Sequence, residues 1–318
     1  MAKVAILDDY QEVALTIADW SPLEGRAVVT VFNDHVSDPD LLVERLAPFD
    51  VVCVMRERTP LPRAILERLP KLKLIASTAP RNASIDAQAA AERGIAVAIT
   101  GYESTPTIEL TWALILGCTR HIASENASLR SGGWQRAIGD SLAGKTLAVL
   151  GLGNIGAEVA RIGVAFRMRV VAWSQNLTSE RATAAGAELV PKGELFRQAD
   201  VLSIHLVLSR RTKGLVGRDE FALMKPTAVL VNTSRGPIVD EPALIETLQK
   251  RRIAGAALDV FNEEPLPADH PYRSLDNVLA TPHIGYVSRS LYQTFYGDTV
   301  DNIRAWLDGA RFREMPDR

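Results

Sequence analysis

The sequence predicts an α/β protein made of two doubly wound parallel-sheet domains. Three observations carry that expectation. The chain has 318 residues, more than the roughly 250–300 at which a single core tends to stop growing. Hydrophobic residues reach 47% while aromatics are only 6%, a balance that suits helix-covered parallel sheets better than a β-sandwich. Short β-branched runs alternate with helical patterns, in two successive series.

In the first series, residues 4–7, 28–32, 51–55, 72–76 and 95–99 read as strands bounded by polar or turn residues. Between them, 41–46, 64–69 and 85–93 have helix-like composition, and Gly94 fits the position just past a helix end. A largely apolar helix is expected over 107–122, with Pro106 near its first turn. A polar stretch over 124–140 follows. The second series places strands at 147–150, 169–173, 201–205, 228–231, 254–258 and 278–280, with helices at 155–166 and 242–249. The last amphipathic pattern, 288–307, is expected to pack back on the first domain. The boundaries are therefore residues 1–101 with 287–318 for one domain and 102–286 for the other.

Charge and cysteine content exclude several classes. The formal net charge is −2, so no basic excess marks a nucleic-acid surface. The run Lys250-Arg251-Arg252 reads as a solvated helix end. Of the two cysteines, Cys53 lies in an apolar run and reads as a buried, inert thiol; no disulfide framework or metal-ligand spacing is visible with Cys118. The first residues lack the features of a signal peptide. The apolar stretch 110–118 is well short of the roughly 20 residues of a membrane span. The default expectation is a cytoplasmic protein that binds neither membrane nor nucleic acid.

The apolar run 147–150 leads directly into Gly151-Leu152-Gly153-Asn154-Ile155-Gly156, where an amphipathic helix begins. Each glycine has a physical reason. Gly151 permits the tight turn, Gly153 lets a pyrophosphate approach the backbone, and Gly156 lets helix and strand pack closely. The helix N-terminus, with Asn154 and Ile155, offers amide N–H groups to phosphates. The alternative is a tight turn that binds nothing. About 20 residues after such a motif an acidic residue usually holds the adenosine ribose of NAD. Ser174 stands there. A serine can bond a ribose hydroxyl and does not repel a 2′-phosphate, so NAD and NADP both stay open, and acceptance of NADP is favoured.

Three later strand ends carry polar residues suited to chemistry: Asn232-Thr233-Ser234-Arg235-Gly236, Leu258-Asp259-Val260-Phe261-Asn262-Glu263-Glu264-Pro265, and Thr281-Pro282-His283-Ile284-Gly285. Ligands of open parallel sheets gather beyond the carboxyl ends of strands, so Arg, Glu and His from these segments can converge. Alone, each could be a capping arginine, a solvated loop carboxylate or a satisfied loop histidine.

Taken in this order with the glycine turn, these segments resemble the D-isomer-specific 2-hydroxyacid dehydrogenase family, over nearly the whole chain. The resemblance implies a Rossmann cofactor domain inserted into a flavodoxin-like substrate domain. It also implies a homodimer, with 107–122 and 124–140 as the expected interface, and a catalytic set of Arg235, Glu264 and His283. Arg235 would bind the substrate carboxylate with its planar fork. His283 would give a proton to the ketone oxygen, and Glu264 would hold the imidazole. Thr233, Asp259, Gly285 and Thr212 are carried over as cofactor contacts. His205 reads as structural or cofactor-adjacent. His35, His121 and His270 show no partner pattern and are expected at the surface.

The sequence departs from the family pattern in the first domain. Arg81 stands where glycine is common, in the run Ser77 to Asp86, and Pro80 stiffens the preceding turn. Arg81 either binds the substrate carboxylate or pairs with an acidic neighbour. Arg56 is a further substrate-binding candidate, better placed than Arg58. Val207 stands where proline is common, and Thr107-Ile108-Glu109 where many members have Val-Ala-Glu. The function expected is NAD(P)-dependent reduction of small 2-keto acids such as glyoxylate or hydroxypyruvate. The alternatives are 3-phosphoglycerate oxidation and a non-catalytic NAD(H)-sensing corepressor or scaffold.

Overall fold

Parallel strands covered on both faces need apolar side chains on both faces, and this chain supplies them in short runs. The computed structural model describes residues 1–316. It divides into two units, Met1–Glu103 together with the segment from Val287 onward, and Ser104–Tyr286.

In the first unit, β1 (Ala2–Ile6), β2 (Ala27–Val31), β3 (Val51–Val54), β4 (Leu74–Ser77) and β5 (Ala96–Ala98) form a parallel sheet in the order β2-β1-β3-β4-β5. This is the doubly wound order whose switch point lies between β1 and β3. Strands β3 and β4 are buried along their full length. The helix Arg289–Leu307 closes this unit. It buries Leu291, Tyr292, Phe295, Tyr296, Thr299, Val300 and Ile303, the spacing of one helical face. Asn302 donates to Ile99 O at 2.8 Å and Asp298 accepts from Gly101 N at 2.7 Å. The helix thus packs on the first unit.

In the second unit, β6 (Thr146–Leu150), β7 (Arg169–Trp173), β8 (Glu188–Leu189), β9 (Val201–Ile204), β10 (Val229–Asn232), β11 (Gly255–Leu258) and β12 (Val278–Ala280) form a parallel sheet. Its order is β12-β11-β10-β9-β6-β7-β8, the Rossmann order with one strand added at the far edge. The strand order reverses between β6 and β9, which places the glycine turn after β6 at the switch point.

Several elements differ from the sequence reading. The helix expected over 107–122 is two helices, Thr105–Thr119 and Ile122–Arg130. His121 between them takes a left-handed φ of 53°, which ends the first helix. The stretch read as polar and irregular, 124–140, therefore begins inside a helix. Its remainder is pinned back on that helix: Glu125 accepts from Arg136 N and Ala137 N, and Ser128 donates to Trp134 O. Helices Ser179–Ala184, Lys192–Gln198 and Arg218–Leu223 and the two-residue β8 escaped the reading, because six or seven residues show too few turns to reveal a period.

Two histidines are not the surface residues expected. His35 Nδ1 lies 2.9 Å from Asp8 Oδ1, with the carboxylate buried. His270 lies 4.8 Å from the Tyr272 ring, accepts from Tyr272 N and sits 3.6 Å from Glu241. Partners brought from other strand ends are invisible to local pattern. Burial pushes the Cys53 thiol up to about 12, so it is inert. Among the described residues no helix is long and apolar enough to cross a membrane.

Candidate active site

The glycine turn separates positions the fold needs from one it does not. Gly151 has φ +102°, and a Cβ there would lie 2.6 Å from His205 O. A Cβ on Gly156 would meet Gly151 O at 2.0 Å. Both are required by the protein's own backbone. Gly153 is different: a Cβ there meets nothing within 4 Å. The chain leaves that space open at the start of the helix Asn154–Ala165, whose N-terminus no side chain caps. Open room beside first-turn amide groups is what an anionic dinucleotide requires. Ser174, just past β7, accepts from Leu152 N at 3.3 Å. Its hydroxyl keeps a proton to donate.

Beyond β9, the loop is closed by its own side chains. Thr212 accepts from Ser209 N at 2.8 Å and donates to Val207 O at 2.7 Å, so this hydroxyl shapes the loop. His205 bonds Ser203 at 2.8 Å, and desolvation lowers its pKa to about 4. It is a neutral imidazole under ordinary conditions.

Arg235, Glu264 and His283 follow β10, β11 and β12, three neighbouring strands. The Arg235 loop is built by Asn232, which is buried. Its side chain accepts from Ser234 N and donates to Arg235 O, both at 3.0 Å. Ser234 donates to Leu206 O, and the Arg235 guanidinium reaches Ser234 O at 2.7 Å. A Cβ on Gly236 would fall 2.1 Å from the carbonyl carbon of Phe261. The arginine loop thus packs backbone to backbone on the segment that carries Glu264.

Glu264 is held at one oxygen by Phe261 N at 2.8 Å and reaches His283 Nδ1 with the other at 2.5 Å. With Nδ1 committed to a carboxylate, Nε2 is the ring atom left for proton exchange. His283 has φ +52°, unfavourable for a residue with a Cβ. Asp259 holds the loop in that shape. Its Oδ1 accepts from Thr281 Oγ1 at 2.6 Å and Ile284 N at 2.8 Å, and its Oδ2 from Gly285 N at 2.8 Å. Burial pushes the Asp259 carboxyl above its ordinary range, while these donors and the nearby His283 pull it back. The residue carried over as a cofactor contact therefore spends its oxygens on the His283 loop. Gly285 is likewise committed, and the Thr233 hydroxyl lies 2.8 Å from that of Thr111.

The first-unit candidates lie after β3 and β4. Arg56 has φ +54°, and its guanidinium sits 5.3 Å from the centre of the Tyr102 ring and 3.6 Å from Glu57. Asn82 donates to Arg56 O at 2.6 Å, joining the two loops. Arg81 is exposed. Arg58 is tied down by Asp8 O at 2.7 Å, by Tyr292 and by the Tyr10 ring. Asn82, Thr107 and Thr111 were missed as site-building residues. For Thr107 and Thr111 the available signal was a polar side chain within a largely apolar helix; Asn82, between exposed neighbours, offered none. No group of His, Cys, Asp and Glu among the described residues could hold a metal ion.

The family model described as "D-isomer specific 2-hydroxyacid dehydrogenase, NAD binding domain" matches residues 112–285. The chain is 39% identical, over 97% of its length, to a D-3-phosphoglycerate dehydrogenase of Methanocaldococcus jannaschii, but it spans only 58% of that protein. It is 40% identical to a glyoxylate reductase of Aeropyrum pernix, covering 77% of this chain and 76% of that one. A phosphoglycerate oxidoreductase structure from Vibrio cholerae superposes with a TM-score of 0.92 at 39% identity, over 98% of this chain and 100% of the other. With its two parallel-sheet units and these matches, the chain belongs to the D-isomer specific 2-hydroxyacid dehydrogenase family.

Proposed function

We propose that this chain is an NAD(P)-dependent D-2-hydroxyacid dehydrogenase that reduces small 2-keto acids of the glyoxylate and hydroxypyruvate type. The observation that carries this reading is the His283–Glu264 hydrogen bond of 2.5 Å, made beyond β12 and β11, with Arg235 beyond β10, the next strand in the sheet. A bound nicotinamide would supply the hydride to the substrate C2. Gly151, Gly153, Asn154, Ile155 and Gly156 would hold its pyrophosphate, and Ser174 would bond the adenosine ribose. Arg235 holds the substrate carboxylate in a bidentate grip. His283 Nε2 gives its proton to the ketone oxygen, and Glu264 stabilises the cationic ring before that transfer. In the oxidative direction the neutral ring takes the hydroxyl proton. Asp259 serves by fixing the loop that carries His283. Arg56 and Arg81 are assigned to substrate binding.

Rates with glyoxylate, hydroxypyruvate and 3-phosphoglycerate, each with both cofactors, test this reading. Turnover of the first two supports it. Turnover of 3-phosphoglycerate alone would support the second reading, which the 39% identical relative favours. No turnover of any of them would sink both and leave a sensing or scaffold role.

A homodimer is proposed on a separate observation. Trp134 and Ile138 are 72% and 97% exposed, with Ile122 and Leu129 also exposed nearby in sequence. Large apolar side chains grouped on one segment mark an association surface. Sedimentation at micromolar concentration decides; a monomer would contradict it.

A further inference from the structure

We propose that Thr107 and Thr111 are positioning residues whose hydroxyls tie the His283 loop and the Arg235 loop to one helix. The inference rests on the roles given above to His283 and Arg235. It assigns a function to two side chains that touch neither substrate nor cofactor in that reading.

Residues 107 and 111 are one helical turn apart, on one face of Thr105–Thr119, and both are buried. A threonine buried in a helix ordinarily turns its hydroxyl back on the carbonyl four residues earlier. Thr119 does so, donating to Ile115 O at 2.8 Å. Thr111 also does so, donating to Thr107 O at 2.8 Å. Thr107 does not. It donates to Gly285 O at 3.0 Å, on the loop that carries His283. Asp259 holds the N–H of the same glycine at 2.8 Å. Both polar groups of Gly285, two residues after His283, are therefore anchored from opposite sides.

Thr111 makes the second tie. Its hydroxyl lies 2.8 Å from Thr107 O and 2.8 Å from Thr233 Oγ1. Thr233 lies two residues before Arg235, so this hydroxyl links the helix to the arginine loop. One continuous path runs from Gly285 O through Thr107 and Thr111 to Thr233. The loop that delivers the proton and the loop that delivers the arginine are spaced by one rigid helical turn. Catalytic geometry is sensitive to displacements near 1 Å, and this path is short enough to set that spacing.

The test uses the full chain with Thr107→Val, Thr107→Ser and Thr111→Val. Valine keeps the shape and removes the hydroxyl; serine keeps the hydroxyl. Two readouts are needed. The first is kcat and KM for glyoxylate. The second is the downfield ring N–H proton resonance of the His283–Glu264 hydrogen bond without ligand, assigned by its loss in His283→Gln. Thr107→Val is expected to lower kcat about tenfold with KM within about twofold, and to broaden or abolish the resonance. Thr107→Ser should restore both to near the wild-type values. Thr111→Val should lower kcat about threefold while leaving the resonance in place, since it frees the Arg235 side of the path.

If the folded Thr107→Val and Thr111→Val proteins keep wild-type kcat and resonance, the proposal is wrong. It is equally wrong if Thr107→Ser fails to rescue, for the methyl packing would then be what matters. Should Thr107→Val not fold, the Thr111→Val and Thr107→Ser results decide between the same outcomes. Should the wild type turn over no 2-keto acid, the functional reading fails, and the resonance alone still decides the positioning claim.

Discussion

Replacing Gly153 and Gly156 by alanine, one at a time, should separate the fold's need for glycine from the ligand's. At Gly156 the new Cβ would lie 2.0 Å from Gly151 O, and real Cβ contacts are not found under 3.0 Å. The helix Asn154–Ala165 or the turn must move by at least the 1.0 Å difference. Backbone is the obstacle, so no side-chain rotation relieves it, and overpacking of this kind costs about 1–3 kcal/mol. That corresponds to a Tm loss of roughly 3–10 °C for the second unit. At Gly153 the Cβ meets nothing within 4 Å, and φ −83° and ψ −160° suit alanine. A weaker N-cap costs about 0.5–1 kcal/mol. The stiffer unfolded chain offsets about 0.4–1 kcal/mol of it. Gly153→Ala should therefore melt within about 2 °C of wild type. Its affinity for NADH, followed by nicotinamide fluorescence, should nevertheless fall at least about tenfold. If Gly153→Ala melts as early as Gly156→Ala, or binds NADH with wild-type affinity, the reading of the turn is wrong.

Three further predictions follow from the site. Asp259→Asn places an amide against a backbone N–H and weakens the clamp on the His283 loop, so kcat for glyoxylate should fall about tenfold or more while NADH affinity changes less than about threefold; the reverse pattern would restore Asp259 as a direct cofactor contact. Ser174→Asp should weaken NADPH binding about tenfold or more and leave NADH binding intact or tighter; unchanged NADPH affinity would mean Ser174 does not face the 2′ position. His205 is held neutral when folded, its pKa lowered to about 4 from 6.5. The unfolded chain therefore binds the extra proton first, and stability present above pH 6.5 is lost as pH falls toward 4, on the order of 3 kcal/mol in all. Urea midpoints of wild type and His205→Asn across that window check this; parallel curves would contradict it.

Much of the architecture was legible because the signals were local. Strands β3, β4, β9, β10 and β11 are apolar runs between turn residues, and the glycine turn declares both the end of β6 and the start of a helix. The segments holding Arg235, Glu264 and His283 announced themselves by composition, and their convergence followed from strand ends sharing one edge. What the sequence hid was long-range. Nothing near Asp259 says that its carboxylate will clamp Thr281, Ile284 and Gly285. Nothing near Thr107 says that its partner lies 178 residues away. His35 finds Asp8 across 27 residues, and so was misread as a surface group. The break at His121 was hidden for the opposite reason: it is local, and a single left-handed residue leaves no trace in a pattern of hydrophobicity.

The central claim is that His283, held by Glu264, exchanges the proton in 2-keto acid reduction. The most direct measurement is kcat for glyoxylate in His283→Gln beside wild type, with NADH affinity measured on the same samples. Wild type should turn over glyoxylate clearly, and the variant should lose about 10²–10⁴-fold with cofactor affinity unchanged within about threefold. A variant that reduces glyoxylate at the wild-type rate would contradict it.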